Sequence, residues 1–246
     1  MNSPAFPRAV DESDREEAPG GLVSRVIHGV RGFIRDEGLR IGDVLPSEVA
    51  IAEKFGVSRA VVREASRSMS ALGLIDVGNG RRARVAAVDP EVLALVIDHG
   101  VQTDQVSVQQ ILDVRRTVEM RTVGLAALRR SDKEAAEITA LAGAMRADFR
   151  DGEKVMEHDI AFHEAIARAS RNPMFALVVQ SFHVVTRQTW PVGWRARGGD
   201  EERFESVACH EAIAAAIVRG ERAEAEHSMA AHFDNTVKLL LASGIN

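Results

Sequence analysis

The segment HDIAFHE, residues 158–164, places a carboxylate at Asp159 and an imidazole at His163, four residues apart. On a helix that spacing sets both side chains on one face, one turn apart, so both can address a single centre. An oxygen and a nitrogen ligand so placed suit a divalent metal ion, but two ligands rarely suffice. Later helices add His183, His210, His227 and His232. A helix over 201–219 can turn His210 inward, and a final helix can present His227 or His232, which lie five apart and so do not share a face. One Asp with three imidazoles is a borderline oxygen and nitrogen set that suits Zn, Ni, Mn or Co. The plain alternative for any one of these histidines is a hydrogen-bonded core residue. A metal-bound water beside Glu164 would resemble hydrolase chemistry. Glu164 sits about 100° around the helix from His163, however, and no separate acid, base or nucleophile set accompanies it, so an enzyme is not expected.

A second constellation is SRAVVRE, residues 58–64. Arg59 and Arg63 share a helix face while Val62 and Ala65 can pack inward. In a helix-turn-helix the second helix enters the major groove with its N-terminal side chains. Arg59 then has the reach for a guanine edge, Arg63 for a phosphate or a base, and Ser58 for a phosphate. Arg81, Arg82 and Arg84 follow on a turn where they can approach a minor groove or its flanking phosphates. The plain alternative is a solvated, arginine-bearing helix pair.

The elements that must position these residues are readable in outline. Val23, Val26, Ile27, Val30 and Ile34 form one apolar helical stripe that ends near Gly38. Two helices follow, 47–55 and 58–72, with Ser47 and Ser58 as N-caps and Gly56-Val57 as the turn between them. Residues 74–77 and 84–88 have strand character around the hairpin-type turn Gly78-Asn79-Gly80. Beyond Pro90 the spacing supports helices alone, at about 91–99, 108–129, 132–150, 153–169, 173–188, 201–219 and 221–242. Breaks are expected at Ser131-Asp132, Gly152, Asn172-Pro173, Pro191 to Gly199, and Gly220.

Composition agrees with this outline. The 246 residues are 46% hydrophobic and 4% aromatic, with no Tyr, which favours helices and a sizeable core over disorder. The single cysteine, Cys209, excludes an intrachain disulfide framework. The proline-containing, acidic first 21 residues read as a flexible arm and lack the basic and apolar regions of a secretory signal, and no apolar run is long enough to span a bilayer. A cytoplasmic protein is expected. The net charge of -5 is uneven: residues 22–88 carry eleven Lys and Arg against seven acids, while residues 89–246 carry eighteen against twenty-four. Only the first of these segments suits a polyanion.

LPSEVAIAEKFGVSRAVVREASRSMSALGLI, residues 45–75, resembles the winged helix of the GntR family of bacterial transcription regulators, and the rest is similar to its FadR-type subfamily with a helical FCD effector domain. The similarity covers about residues 22–240, and its most specific parts are Leu45-Pro46-Ser47-Glu48, Val57-Ser58-Arg59, Val62-Arg63-Glu64-Ala65 and Gly73-Leu74-Ile75. The resemblance implies a mainly α fold: an arm at 1–21, a winged helix-turn-helix at 22–88, and an all-helical FCD-type bundle at 89–246 that binds effector and dimerises. It implies DNA contacts by Ser58, Arg59, Arg63 and wing residue Gly80, joined here by Arg81. Val49, Ala60 and Ser66 depart from residues common in the family, and Arg81 to Arg84 replace a Gly-Thr-Phe-Val wing.

In the second half the resemblance implies one divalent metal per chain, Zn first with Ni or Mn as alternatives. Its ligands would be Asp159 and His163 in DIAFH, His210 in HEAI and His232 in MAAHF. His158 and His227 are read as neighbours. Arg115 in DVRRTVE matches an arginine that would pair with the carboxylate of a small effector, a sugar acid or hydroxy acid; an ion pair with Glu119 is the alternative. Asn172 would touch the effector or cap a helix. The expected whole is a homodimeric repressor on a palindromic operator. The main rival is a constitutive DNA-binding protein with a structural metal.

Overall fold

A computed structural model of the chain describes residues 21–78 and 81–245; most of the expected arm, Asn79 and Gly80 lie outside the described residues. The chain divides into two compact units, one ending at Asp89 and one beginning at Pro90.

In the first unit, α1 (Gly21–Asp36) buries Val26, Val30 and Phe33 from its apolar stripe. Helix α2 (Glu48–Phe55) is capped by Ser47, whose hydroxyl accepts from Ala50 N at 3.2 Å, and α3 (Arg59–Ala71) by Ser58, which accepts from Val61 N at 3.3 Å. Between them Gly56 has φ of 61°, a left-handed conformation that favours glycine, and the backbone reverses there. Val62, Ala65 and Met69 from α3 join Leu45, Ile51, Ala52 and the α1 residues in one core.

The strands are shorter than expected: β1 (Ile75–Asp76) and β2 (Arg84–Val85) pair antiparallel, Ile75 opposite Val85. The missing length is replaced by the segment around Val44. It lies along the other edge of β2, with Leu45 N donating to Ala83 O and Val85 N to Asp43 O.

The second unit contains α4 (Pro90–Gln102), α5 (Val108–Arg129), α6 (Asp132–Ala147), α7 (Gly152–Ala169), α8 (Pro173–Ser181), α9 (His183–Ala196), α10 (Asp200–Arg219) and α11 (Arg222–Ala242). Helix α7 is buried on most sides, with Val155, Phe162, Ala165 and Ile166 in the main core, and it packs against α5, α6, α8 and α9. No helix among the described residues is long and apolar enough to cross a membrane.

One sequence expectation is corrected here. Residues 173–188 do not form one helix that stops before Pro191. The chain bends at Phe182, where Ser181-Phe182-His183 contains neither Gly nor Pro, and α9 then runs through Pro191. Phe182 is 4% exposed, clustered with Ile111 and Val185, so its packing sets the bend. Pro191 lacks the N–H that would bond to Arg187 O, but both residues are on the exposed side, where water can take that carbonyl. Burial of Thr189 and Trp194 and the stacking of Trp190 on Trp194, centroids 5.5 Å apart, hold the helix across the proline.

Candidate metal centre and nucleic-acid interface

Asp159 and His163 lie one turn apart on α7 and are 3% and 2% exposed. α10 contributes His210 and α11 contributes His232. The two meet because Gly220, φ 74°, caps α10 and reverses the chain about ten to twelve residues from each, so they sit at nearly the same level of an antiparallel pair. One potential ligand atom from each of the four residues lies within 4.8 Å of all the others. His210 Nε2 is 2.8 Å and His163 Nε2 3.7 Å from Asp159 Oδ1. These values bracket the spacing of about 3.4 Å between ligand atoms around a tetrahedral zinc with bonds of ~2.1 Å.

The surroundings fix which nitrogen each ring offers. His210 Nδ1 donates to Ser206 O at 2.9 Å, so its Nε2 faces the cluster. His163 Nδ1 is held by Glu119 Oε2, and His163 Nε2 is a buried atom without a hydrogen-bond partner. A buried nitrogen left unpaired is costly, and here it is aimed at a convergent carboxylate and two imidazoles. The residues therefore fit a divalent ion. Partners of this kind orient a ligand ring and raise its basicity.

The electrostatics of the ion-free cluster are tightly coupled. Burial pushes the Asp159 carboxyl up, but His163 and His210 outweigh it and hold it well below the usual carboxylate range. Burial lowers His163, but the charges of Glu119 and Asp159 prevail and raise it to about 9. His232 is driven well below its ordinary value by burial and by the neighbouring imidazoles of His210 and His163. Glu119 is also lowered: Arg115 and His163 overcome its burial.

Arg115 makes the ion pair with Glu119 that its spacing offered as an alternative. Its Nε donates to Glu119 Oε1 at 2.5 Å and its Nη1 to Thr186 Oγ1 at 2.7 Å, while the side chain lines a cavity of about 50 Å³ shared with Asp159, His210 and His232. A second cavity, about 240 Å³, shares Arg197, Ser206, His232, Thr236 and Leu239 with the first. Asn172 lines neither. It is the N-cap of α8, accepting from Met174 N at 3.0 Å, as the capping alternative has it. His158 bonds Asp148 at 3.1 Å, and His227 is exposed.

Sequence reasoning did not find the contact from Glu119 to His163, 44 residues away, nor Thr186, Trp190 and Arg197 on the cavity wall. Glu119 was visible only as the residue four after Arg115. Thr186 and Trp190 depend on the bend at Phe182, and Arg197 on α9 continuing past Pro191.

In the first unit, Ser58 at the N-cap of α3 and Arg59 and Arg63 on that helix stand exposed. Arg67, one turn further, extends the same exposed face; its i+4 spacing from Arg63 was a signal the sequence reading left unused. Arg63 also approaches Glu48 at 3.5 Å, a solvated pair of little energetic weight. Arg81 is exposed beyond Gly78. Arg82 and Arg84 are turned back on the fold: Arg82 donates twice to Leu45 O, and Arg84 donates to Gly42 O at 2.6 Å. Gly80 is outside the described residues.

The chain is similar to known proteins in sequence and in fold. Residues 22–85 match the model described as "Bacterial regulatory proteins, gntR family", and residues 110–235 match the FCD domain. The HTH-type transcriptional regulator LutR of Bacillus subtilis (strain 168) is 30% identical over 85% of this chain and 96% of its own length. The galactonate operon transcriptional repressor of Escherichia coli (strain K12) is 30% identical over 72% of this chain and 78% of its own. A solved structure of Streptococcus agalactiae GntR covers 88% of this chain and 99% of that chain, with a TM-score of 0.62 at 23% identity, a likeness of fold.

Proposed function

Because the chain belongs to the GntR family of DNA-binding transcription regulators and carries an FCD effector domain, we propose that it is a repressor whose operator affinity is set by a small carboxylic acid bound at a divalent metal. Residues 22–88 would read DNA, and residues 89–246 would bind metal and effector and pair with a second copy. The observation that carries this reading is the convergence of Asp159, His163, His210 and His232 around an unpaired buried nitrogen, beside a cavity walled by an arginine. A purely structural ion would need no such cavity.

Asp159 Oδ1 and the facing imidazole nitrogens would hold the ion, with Zn first and Ni or Mn next. When bound, it would supply a Lewis-acidic charge that attracts the oxygens of a hydroxy acid or sugar acid. Arg115, fixed by Glu119 and Thr186, presents its remaining N–H groups to an effector carboxylate. Thr189 Oγ1 already donates to Val185 O, which leaves its lone pairs to accept from an effector hydroxyl. The similarity to a galactonate operon repressor supports the class of acid.

For DNA to be released, the acid must bind the DNA-free arrangement of the protein more tightly, since equal affinity for both shifts nothing. A palindromic operator follows from pairing two copies. A groove among α4, α5 and α8, lined by Val96, Val106 and Val114 in exposed positions, is an apolar face that such pairing would cover. The test is fluorescence anisotropy on operator DNA selected from a random library, with zinc-loaded protein and graded galactonate, gluconate and lactate. A rise in Kd with at least one acid, abolished by chelator, is expected. Unchanged Kd with all three would favour the constitutive rival.

Two further outcomes are expected. Arg59→Ala should weaken binding to the selected operator by about tenfold to a hundredfold, the worth of one bidentate base contact, with metal content unchanged. Metal uptake should be pH-dependent. His163, raised to about 9, is protonated in the ion-free protein near neutrality and must lose a proton to present Nε2. Apparent zinc affinity should therefore climb between about pH 6.5 and 9 by up to tenfold per unit and level off above, with about one proton released per ion below pH 9. Competition titrations across that range check the slope; a flat profile would mean that His163 is not a ligand.

A further inference from the structure

Arg197 stands at the C-terminal end of α9, where the inner cavity at the cluster and the larger outer cavity share a wall. Its side chain is half-buried. Nη1 donates to Gly193 O at 3.1 Å and the guanidinium lies 5.7 Å from the Trp194 ring centroid. Among the described residues it has no carboxylate within salt-bridge distance. Asp159 is the carboxylate that acts on it most strongly, and that group is already engaged by His210; Glu202 is exposed and accepts from Gly198 N at 2.7 Å. Arg115, the other arginine of the chamber, is already neutralised by Glu119.

Charge bookkeeping then sets what the chamber can hold. A divalent ion with Asp159 and three neutral imidazoles leaves one positive charge, the Arg115–Glu119 pair leaves none, and Arg197 adds one. The two carboxylates that line the outer cavity, Glu202 and Glu205, are exposed at its rim and solvated. Two positive charges thus border the adjoining cavities, one at the cluster on the inner cavity and one at Arg197 on the wall that both share.

We propose that Arg197 determines effector specificity by pairing with a second acid group, so that the preferred effector is a hydroxylated dicarboxylate with one acid end at the metal cluster and the other at Arg197. This rests on the metal-centred reading above. A planar guanidinium matches a carboxylate with two parallel N–H donors, and partial burial strengthens the pair. Burial lowers the pKa of Arg197 and outweighs the pull of Asp159 and Glu202, and the group stays charged at all physiological pH.

Two matched pairs of acids test this on the zinc-loaded full chain: malate against 2-hydroxybutyrate, and glucarate against gluconate. Members of a pair share a carbon frame and differ at the distal end. Binding is read by calorimetry and by the emission of Trp190 and Trp194, the two tryptophans of the chain, of which Trp190 lines the inner cavity. In at least one pair the diacid should bind about tenfold to a hundredfold tighter. Arg197→Gln should erase that preference and leave monoacid affinity and zinc content within about twofold, while Arg197→Lys should keep most of it.

A monoacid that binds as tightly as its diacid in both pairs would overturn the proposal and leave the metal-centred reading standing. Equal weakening of both members by Arg197→Gln would also overturn it, since that marks Arg197 as a helix cap only. If none of the four acids binds zinc-loaded protein, this proposal and the reading beneath it both fail.

Discussion

Replacing His210 with alanine is expected to strip the metal from the protein while leaving its affinity for DNA intact. His210 is fixed by Ser206 O on one side and faces Asp159 Oδ1 at 2.8 Å on the other, so its ring is held in ligand geometry by the fold. A four-ligand zinc site is worth about 10–16 kcal/mol, so losing one ligand of four should cost on the order of a hundredfold to a thousandfold in affinity. Metal content after gel filtration, read by plasma mass spectrometry, should fall from about one ion per chain to near zero. The core around Val62, Ala65 and Met69 contains no residue of the cluster, so α3 should still bind the selected operator. Full retention of metal would remove His210 from the ligand set.

Glu119→Ala should be the most destabilising single change at the site. Glu119 is 1% exposed and bridges Arg115 and His163, both nearly as buried. Its removal leaves a guanidinium and, in the ion-free protein, an imidazolium without their main counter-charge. Breaking a buried pair in this way costs about 3–5 kcal/mol, or a fall in Tm of roughly 6–20 °C for a unit of this size. The metal-loaded form should lose less stability but bind its ion about ten to a hundred times more weakly, the usual penalty for removing a partner that orients a ligand ring. Calorimetric melts of loaded and chelated protein separate the two effects. A loss below about 1 kcal/mol in the chelated protein would show that Asp159 alone compensates both cations.

How much of this was legible in the sequence depends on the range of the interaction. Local signals carried well. Ser47 and Ser58 are N-caps, Gly56 and Gly220 reverse the chain in left-handed conformations, and Asp159 with His163 share a face by helical arithmetic alone. The fold class, a winged helix-turn-helix followed by a helical bundle, followed from such signals together with the family resemblance.

What was hidden is tertiary. The bend at Phe182 has no Gly or Pro to announce it, because packing against Ile111 and Val185 sets it. Pro191 signalled a break that did not occur, because the carbonyl it leaves unpaired faces solvent. Both errors fall on the segment that delivers Thr186, Trp190 and Arg197 to the cavity, so the ligand face of the site was the part least readable. Arg82 and Arg84 teach the same lesson in the wing: as sequence they look like cationic reach, and in the fold their guanidinium groups brace the backbone at Leu45 and Gly42.

The central claim is that the Asp159, His163, His210 and His232 cluster holds a metal at which an acid binds. Native mass spectrometry of protein purified without chelator tests it most directly. The account predicts a dimer with one divalent ion per chain and, after addition of a preferred acid, one further mass per chain that disappears when the ion is chelated. A chain that takes up no ion even when supplied with Zn, Ni and Mn, or an acid that stays bound after the ion is removed, would contradict it.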